Sequence, residues 1–533
     1  MRRAAILFLI AAVLLTLGSS CRKRSATFVI ALGDNIRTID PIGSPSVDAA
    51  SERVRALMFN SLVRKDEKFD YVGDLASEIK QSSDGTVFTF TLRDGVKFHD
   101  GRTFSSADAK YTLDLVFSSS FAKSASFFET SNEKPADGTQ PVKRSYIKSV
   151  EAPDARTLVI TLAHPWTGLL SNLVPVAMIP KDSYESQKTH PLGSGAFKFK
   201  NYDNSQQVLD LEANADYWEG APHIPALRVR VIADTNALQA ELRSGRVDIA
   251  PLPTSLSPDA IKQLGDDRNL QVLQFTGSNV TVLTFNCSQP PLNDVRVRQA
   301  IAYAVDRESL IRDLLLGQAK LAHSILPEES WAYSPGQKYS FDPSMAKKLL
   351  DEAGLKDPDG DGPQFRFAKP LVYKVSGSSA AAKNYAGVIQ NYLKNVGVPV
   401  SIETAELNTL FDELRRGNFQ IFYGQWVGGN QDPIFFKDLF ATSEIPTEAR
   451  ASRNRSRYSN KEVDTLLDEA VNTFDREKAK RLYARVQEIV SREVPVLPLW
   501  YQANIVIARK NVGNINVDAS GDWRFVRNLT VQP

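Results

Sequence analysis

The sequence predicts an α/β protein built from more than one domain. Its 533 residues, 42 % of them apolar, suffice for several packed layers. Segments with helical spacing alternate with short β-rich runs, most clearly in the second half, which is the pattern of α/β lobes. No internal repeat and no low-complexity segment argues for any other organisation.

The start of the chain is an address rather than a fold element. Arg2 and Arg3 precede an uncharged stretch, Ala4 to Leu17, that fits a secretory apolar region but falls short of the ~20 residues needed to cross a bilayer core. Gly18, Ser19 and Ser20 then lead into Cys21, which resembles the lipobox of bacterial lipoproteins, where the thiol is acylated and becomes the first residue. A lipobox usually carries Leu three places before the Cys; here Gly18 stands there, and Leu17 is one further back. The alternative is secretory cleavage near Ala26 with Cys21 discarded. Cys287 then has no partner for an internal disulfide, and its apolar neighbours in VLTFNCS predict a buried, inert thiol. Removal of residues 1–20 takes away Arg2 and Arg3 and leaves a formal charge of zero, where a nucleic-acid binder would show a basic excess. The one basic concentration, Arg450, Arg453, Arg455 and Arg457, reads as a solvated loop or a face for anionic lipid or a partner.

TFVIALG (27–33) has the length and composition of a buried strand and runs toward the turn at Asp40-Pro41. In TVFTFTLRDGVKFH (86–99), Phe88, Phe90 and Leu92 alternate with Thr, and Asp94-Gly95 signals a hairpin turn. Ser105 can cap the helix SSADAKYTLDLVF, with Asp108 in its first turn. Strands follow at 157–162, 197–200, 208–212 and 227–232. Asp294 can cap a long helix VRVRQAIAYAVDRESLIRDLL, in which Val297, Ala300, Ile301, Ala304 and Val305 recur at helical spacing. Helices at 345–354 and 384–397 each end in Gly, the residue that accepts a left-handed C-cap. The second leads into a strand at 398–405. Two more helices within 461–491 precede a strand at 494–501.

The chemistry of common enzymes is missing. The five histidines at 99, 164, 190, 223 and 323 show no zinc spacing, and there is no nucleophile elbow, phosphate loop or dinucleotide fingerprint. DPDGDG (357–362) imitates half a calcium loop, but Ala368 stands where a bidentate Glu is required, so it reads as a turn. No cofactor and no metal are expected.

Five segments together resemble the extracytoplasmic solute-binding lipoproteins of peptide- and nickel-type ABC importers, family 5. They are LRDGVKFHDGRTFSSADAKYTLD (92–114), PLGSGAFKF (191–199), PPLNDVRVRQAIAYAVDRESLI (290–311), FDPSMAKKLLDEAG (341–354) and VPVLPLWY (494–501). The resemblance implies a periplasmic-binding-protein fold: two α/β lobes on a two-segment hinge, a smaller domain inserted in the first, and closure on a ligand between them. It implies a signal peptide at 1–20 and a lipid-anchored tether at 21–26. Lobe I is expected from 27–60, 191–280 and 503–533, the insertion from 61–190, and lobe II from 281–502. PLGSGAF would return the chain to lobe I, its two glycines allowing unusual backbone angles and close packing. The expected role is that of a monomer without enzymatic activity, exported and held by lipid at Cys21 on the extracytoplasmic face, delivering a peptide-sized solute to a permease with its ATPase.

The resemblance places the ligand at YGQWVGGNQDPIFF (423–436). In peptide-binding relatives a Trp-containing strand lies along the ligand backbone, and an Asp three places after the Trp meets the peptide's amino end. Trp426 matches the Trp, and Gly429 stands where the Asp would be. A buried ammonium needs a carboxylate, because an unpaired charge costs several kcal/mol to bury. Three readings stay open: another acid binds the peptide, the peptide's amino end is blocked or displaced, or the solute is an oligosaccharide or metal chelate. The candidate contacts are Trp426, Val427, Gly428, Gly429, Asn430, Trp500 and Tyr501, with Asn286 as a hinge-side hydrogen-bonder. Asp432 of the Asp-Pro step is read as a cap of the following helix.

Overall fold

The computed structural model describes residues 27–43, 48–118, 121–130, 143–360, 362–426, 432–447 and 452–532. The leader, the tether and Cys21 lie outside the described residues. So do Val427, Gly428, Gly429 and Asn430.

Two large mixed sheets organise the chain. The first runs, in spatial order, Phe197–Asp203, Val208–Ala213, Ala226–Val231, Phe28–Leu32, Ile249–Pro251, Asn504–Arg509 and Leu270–Phe275. The second runs Ala319–Leu321, Val496–Gln502, Val280–Phe285, Ile421–Trp426, Leu371–Ser376 and Val400–Ala405. The chain crosses between them at Phe275–Val280 and again at Gln502–Asn504, which makes a hinge of two adjacent segments. A third sheet of four antiparallel strands, Ala76–Gln81, Val87–Leu92, Thr157–Leu162 and Ile147–Asp154, belongs to the stretch between the first and second strands of lobe I.

Burial shows which parts move together. One apolar cluster runs from Phe28 and Ile30 of the first sheet through Phe88, Phe90 and Ile160 of the four-stranded sheet to Trp523 near the C-terminus. At ~2–3 kcal/mol for each fully buried large side chain, this cluster fuses lobe I and its insertion into one body. Lobe II has cores of its own, one around Tyr373 and Trp500 and another around Phe436 and Tyr483.

Local chemistry explains the elements and corrects several expectations. The hairpin turn lies before Val87–Leu92, not after it. Asp84 Oδ1 accepts bonds from Thr86 N at 3.1 Å and Ser82 Oγ at 2.6 Å, closing a tight turn that pairs this strand with Ala76–Gln81. Beyond Leu92, Asp94-Gly95 only bends the chain toward an isolated bridge between Lys97 and Thr103. Asp294 caps a helix as expected, but the helix stops at Ala304. Val305 is extended, and Asp306 caps a new short turn by accepting from Ser309 N at 2.9 Å. The Asp-Arg step thus outcompetes helix continuation, because a carboxylate satisfies free amides that a continuing helix would bond itself. In PLGSGAF the two glycines are explained by packing alone, since neither has a positive φ. A Cβ at Gly193 would lie 2.1 Å from Met58 O, and one at Gly195 would lie 2.4 Å from Met58 C.

Candidate ligand-binding cleft

Strand direction locates the site. In lobe I, Phe28–Leu32 is parallel to both Ala226–Val231 and Ile249–Pro251, and Pro251 pairs with Val506, close to the hinge. In lobe II, Leu371–Ser376 is parallel to Val400–Ala405 and to Ile421–Trp426, and Trp426 pairs with Val280 at the hinge. The carboxyl ends of all six strands therefore sit on the edges where the two lobes face each other. Ligands of open α/β sheets bind in such a crevice, because the loops leaving these ends are free to diverge.

The loop leaving the central strand of lobe I is held by buried cations. Asp40 Oδ1 accepts from Ile42 N at 3.0 Å and Gly43 N at 2.8 Å. Arg55 donates to Pro41 O at 3.1 Å, and Lys123 donates to Pro41 O at 2.9 Å and to Pro175 O at 2.5 Å. Lys123 is buried, its ammonium pushed well below the usual lysine range by desolvation, and Glu52 lies 3.4 Å away. This scaffold fixes the loop that leaves the carboxyl end of the central strand of lobe I.

The wall is closed by polar groups from opposite bodies. The hairpin of Val63–Lys65 and Tyr71–Gly73, in the inserted part, leans on lobe II. Tyr71 donates its hydroxyl to Asp432 Oδ2, while Asp432 Oδ1 accepts from Ile434 N at 2.8 Å at the start of the helix Phe435–Phe440. Burial and then the Asp432 charge raise the Tyr71 phenol well above its normal range, so it stays a donor. Burial lowers the Lys65 ammonium, with Asp432 opposing the shift. Arg476 of the helix Arg476–Glu493 pairs with Asp70 and stacks at 3.5 Å over the Trp331 ring. Phe474 meets Phe88 edge-on at 6.4 Å, and Thr167 Oγ1 donates to Val471 O at 2.7 Å. These contacts join the inserted part to lobe II.

The sequence-derived residues divide. Trp426 ends its strand at the hinge end, half-buried and packed, like Trp331 and Ile325, against the cluster around Phe436 and Tyr483. Asp432 holds both its helix start and Tyr71. Trp500 and Tyr501 are core residues: Trp500 is 1 % exposed and edge-on to Tyr385 at 5.3 Å. Tyr501 is 2 % exposed and donates to Ser324 O at 2.7 Å and Leu326 O at 2.5 Å. Asn286 is not hinge-side. The register Val280 with Trp426 and Phe285 with Ile421 puts it at the far end of the strand, about 20 Å from the hinge at strand rise. There its amide donates to Gly417 O and Phe419 O, each at 3.0 Å, and its Oδ1 accepts from Ser288 Oγ at 2.7 Å. Cys287 is half-buried rather than buried, and burial pushes its thiol up to about 11. Lys65, Tyr71, Asp70 and Arg476 carry no local sequence signal, since Tyr71 and Asp432 are 361 residues apart. Among the described residues no cluster of three or more His, Cys, Asp or Glu could hold a metal, and no helix is long and apolar enough to cross a membrane.

Two lobes with opposed strand ends and a double hinge define a closing binding protein. Comparison with known proteins agrees: the chain belongs to the bacterial extracellular solute-binding proteins, family 5, whose middle region matches residues 70–447. It is similar to the oligopeptide-binding protein AppA of Bacillus subtilis, 28 % identical over 93 % of this chain and 91 % of that one. The heme-binding protein A of Haemophilus influenzae is 29 % identical over 86 % of this chain and 83 % of its own. Among solved structures, NikZ of Campylobacter jejuni in complex with Ni(L-His) superimposes with a TM-score of 0.73 at 27 % identity, covering 95 % of this chain and 99 % of that one.

Proposed function

We propose that this protein captures a peptide or peptide-sized solute in the cleft between its lobes and hands it, chemically unchanged, to an ABC permease. The opposed carboxyl ends of six parallel strands, flanking a two-segment hinge, carry this reading. The ligand favours the closed form only through contacts it makes better there than in the open one. Trp426 is the cleft-edge aromatic of lobe II, and residues 427–430 continue from it as the stretch expected to run along the ligand. Export and lipidation at Cys21 would hold the protein beside its permease and ATPase. A division of the lobes at 275–280 and 502–504 is supported by where the strands change sheet.

Native mass spectrometry of the purified chain should find one small solute bound per protein, with its mass unaltered after release. Its mass also decides between a peptide and a metal chelate. Absence of any bound or rebindable solute, or its conversion to products, would overturn the reading. Separately, Cys21→Ser should move the protein from the membrane fraction to the soluble fraction of exporting cells.

A further inference from the structure

At the edge of lobe II remote from the hinge lies a second concavity, a cavity of about 530 Å³ lined among others by Cys287, Arg298, Arg457, Tyr458, Arg492 and Glu493. Cys287 follows the strand Val280–Phe285, and Glu493 precedes Val496–Gln502, so this pocket is a strand's length, about 20 Å, from the cleft. We propose that it is an anion site that takes a phosphate group.

Three arginines line the pocket, Arg298 buried, Arg457 half-buried and Arg492 exposed, and among the described residues no ion pair within 4 Å joins any of them to a carboxylate, although Asp294 feels the charge of Arg298. Arg298 is buried and is positioned by backbone oxygens, donating to Glu493 O at 2.8 Å and Leu292 O at 2.6 Å. Arg457 donates to Arg415 O at 2.8 Å, and its Nε is buried with no hydrogen-bond partner. Its backbone is held at φ 52°, a conformation that a residue with a side chain adopts only when its surroundings impose it. Arg492 closes the last turn of Arg476–Glu493, and its carbonyl, not its side chain, takes the bond from Gln299 at 2.8 Å. The pocket's one carboxylate, Glu493, is already engaged by the Tyr458 hydroxyl at 2.7 Å and by Asn460 Nδ2 at 3.2 Å.

The pocket is therefore net positive, and part of that charge is withdrawn from water. Three arginines against the one carboxylate of Glu493 leave the lining in excess positive charge, with Arg298 buried, and an oxyanion offsets such an excess with paired, planar hydrogen bonds that suit the arginine fork. Cys287 stays a neutral thiol at neutral pH, so it neither repels an anion nor competes as a nucleophile. The phosphate could be the free ion or belong to a lipid headgroup. The two sources share the chemistry and differ in what else must come near the protein.

The test uses the mature chain carrying Cys21→Ser, so that no acyl group contributes. Inorganic phosphate is titrated by calorimetry, and flotation is run with phosphatidylglycerol vesicles against phosphatidylcholine vesicles. Binding of free phosphate assigns the ion. Retention on phosphatidylglycerol vesicles alone assigns the headgroup. In either case Arg492→Gln and Arg457→Gln should each weaken binding about tenfold, the loss of one charge-assisted contact, and Arg492→Lys should recover part of it. Circular dichroism and cleft-solute titration should be unchanged for the Arg492 variants. No binding of either probe, or binding indifferent to both arginines, would overturn the proposal.

Discussion

His99 shows how a single half-buried side chain couples this fold to pH. It bridges the inserted part and PLGSGAF, with Nε2 3.0 Å from Gly195 O and Nδ1 accepting from Gly193 N at 3.4 Å. Burial pushes its pKa down to about 4, and His323 is likewise pushed to about 4 by desolvation. An unfolded histidine takes a proton below about pH 6.5, whereas the folded one resists until about 4. Stability from His99 is thus fully present above pH 6.5 and is lost as pH falls toward 4, by at most about 3 kcal/mol. Urea midpoints at pH 7 and 4.5 should show the fall, and His99→Gln should flatten it in part; a fall identical in the variant would contradict the assignment. Trp500→Ala should cost ~3–5 kcal/mol, as a cavity in a packed core does, with the variant's solute affinity unchanged where it still folds. Its role was illegible in the sequence for a physical reason. Val496–Gln502 is buried on both faces, so no alternation marks which aromatic faces a ligand, and a register shift at Thr281/Val282 disturbs the count further. The clues around Trp426 were legible because the motif YGQW and its Asp-Pro step are contiguous. Lys65 and Tyr71 were not, because they reach Asp432 only through folding.

At the scale of elements, short-range chemistry was read well wherever one residue decides the outcome. Asp294 begins its helix as expected by accepting a main-chain amide, and Asp342 and Asn460, which carried no expectation, do the same. Competition between two adequate signals was read less well: Asp84-Gly85 and Asp94-Gly95 both resemble hairpin turns, and only long-range pairing chooses the first. The hinge is the element on which function rests. A Cβ at Gly277 would stand 1.8 Å from Gln502 O, so the two crossing segments touch only because this residue lacks a side chain. Gly277→Ala should separate them, with a fall in solute affinity of tenfold or more at little change in helix content; wild-type affinity would show that the crossing tolerates separation. The latch should behave differently. Tyr71→Phe removes the inter-lobe bond and Asp432→Asn removes its charge, and each should weaken closure by ~1–3 kcal/mol, seen as faster solute release in stopped-flow fluorescence. An unchanged off-rate would place the latch outside the closing motion.

The whole molecule was legible in outline because family 5 signatures are spread over nearly the entire chain, so that five short segments constrain it at once. What they could not convey is how the bodies meet, since the cleft wall is assembled from side chains hundreds of residues apart. The contrast in packing gives the motion its physical basis. Lobe I and its insertion share one apolar cluster, lobe II has its own, and the contacts joining them across the cleft include Tyr71 with Asp432, Arg476 with Asp70 and Thr167 with Val471. Polar contacts of this kind, with the aromatic pair of Phe88 and Phe474, permit relative domain motion where a shared apolar core forbids it. The most direct test is small-angle X-ray scattering of the mature chain, first stripped of solute and then resaturated with the species identified by mass spectrometry. The radius of gyration should fall on resaturation and the solute should be recovered intact. An identical scattering curve in both states, or a solute recovered in pieces, would contradict the account.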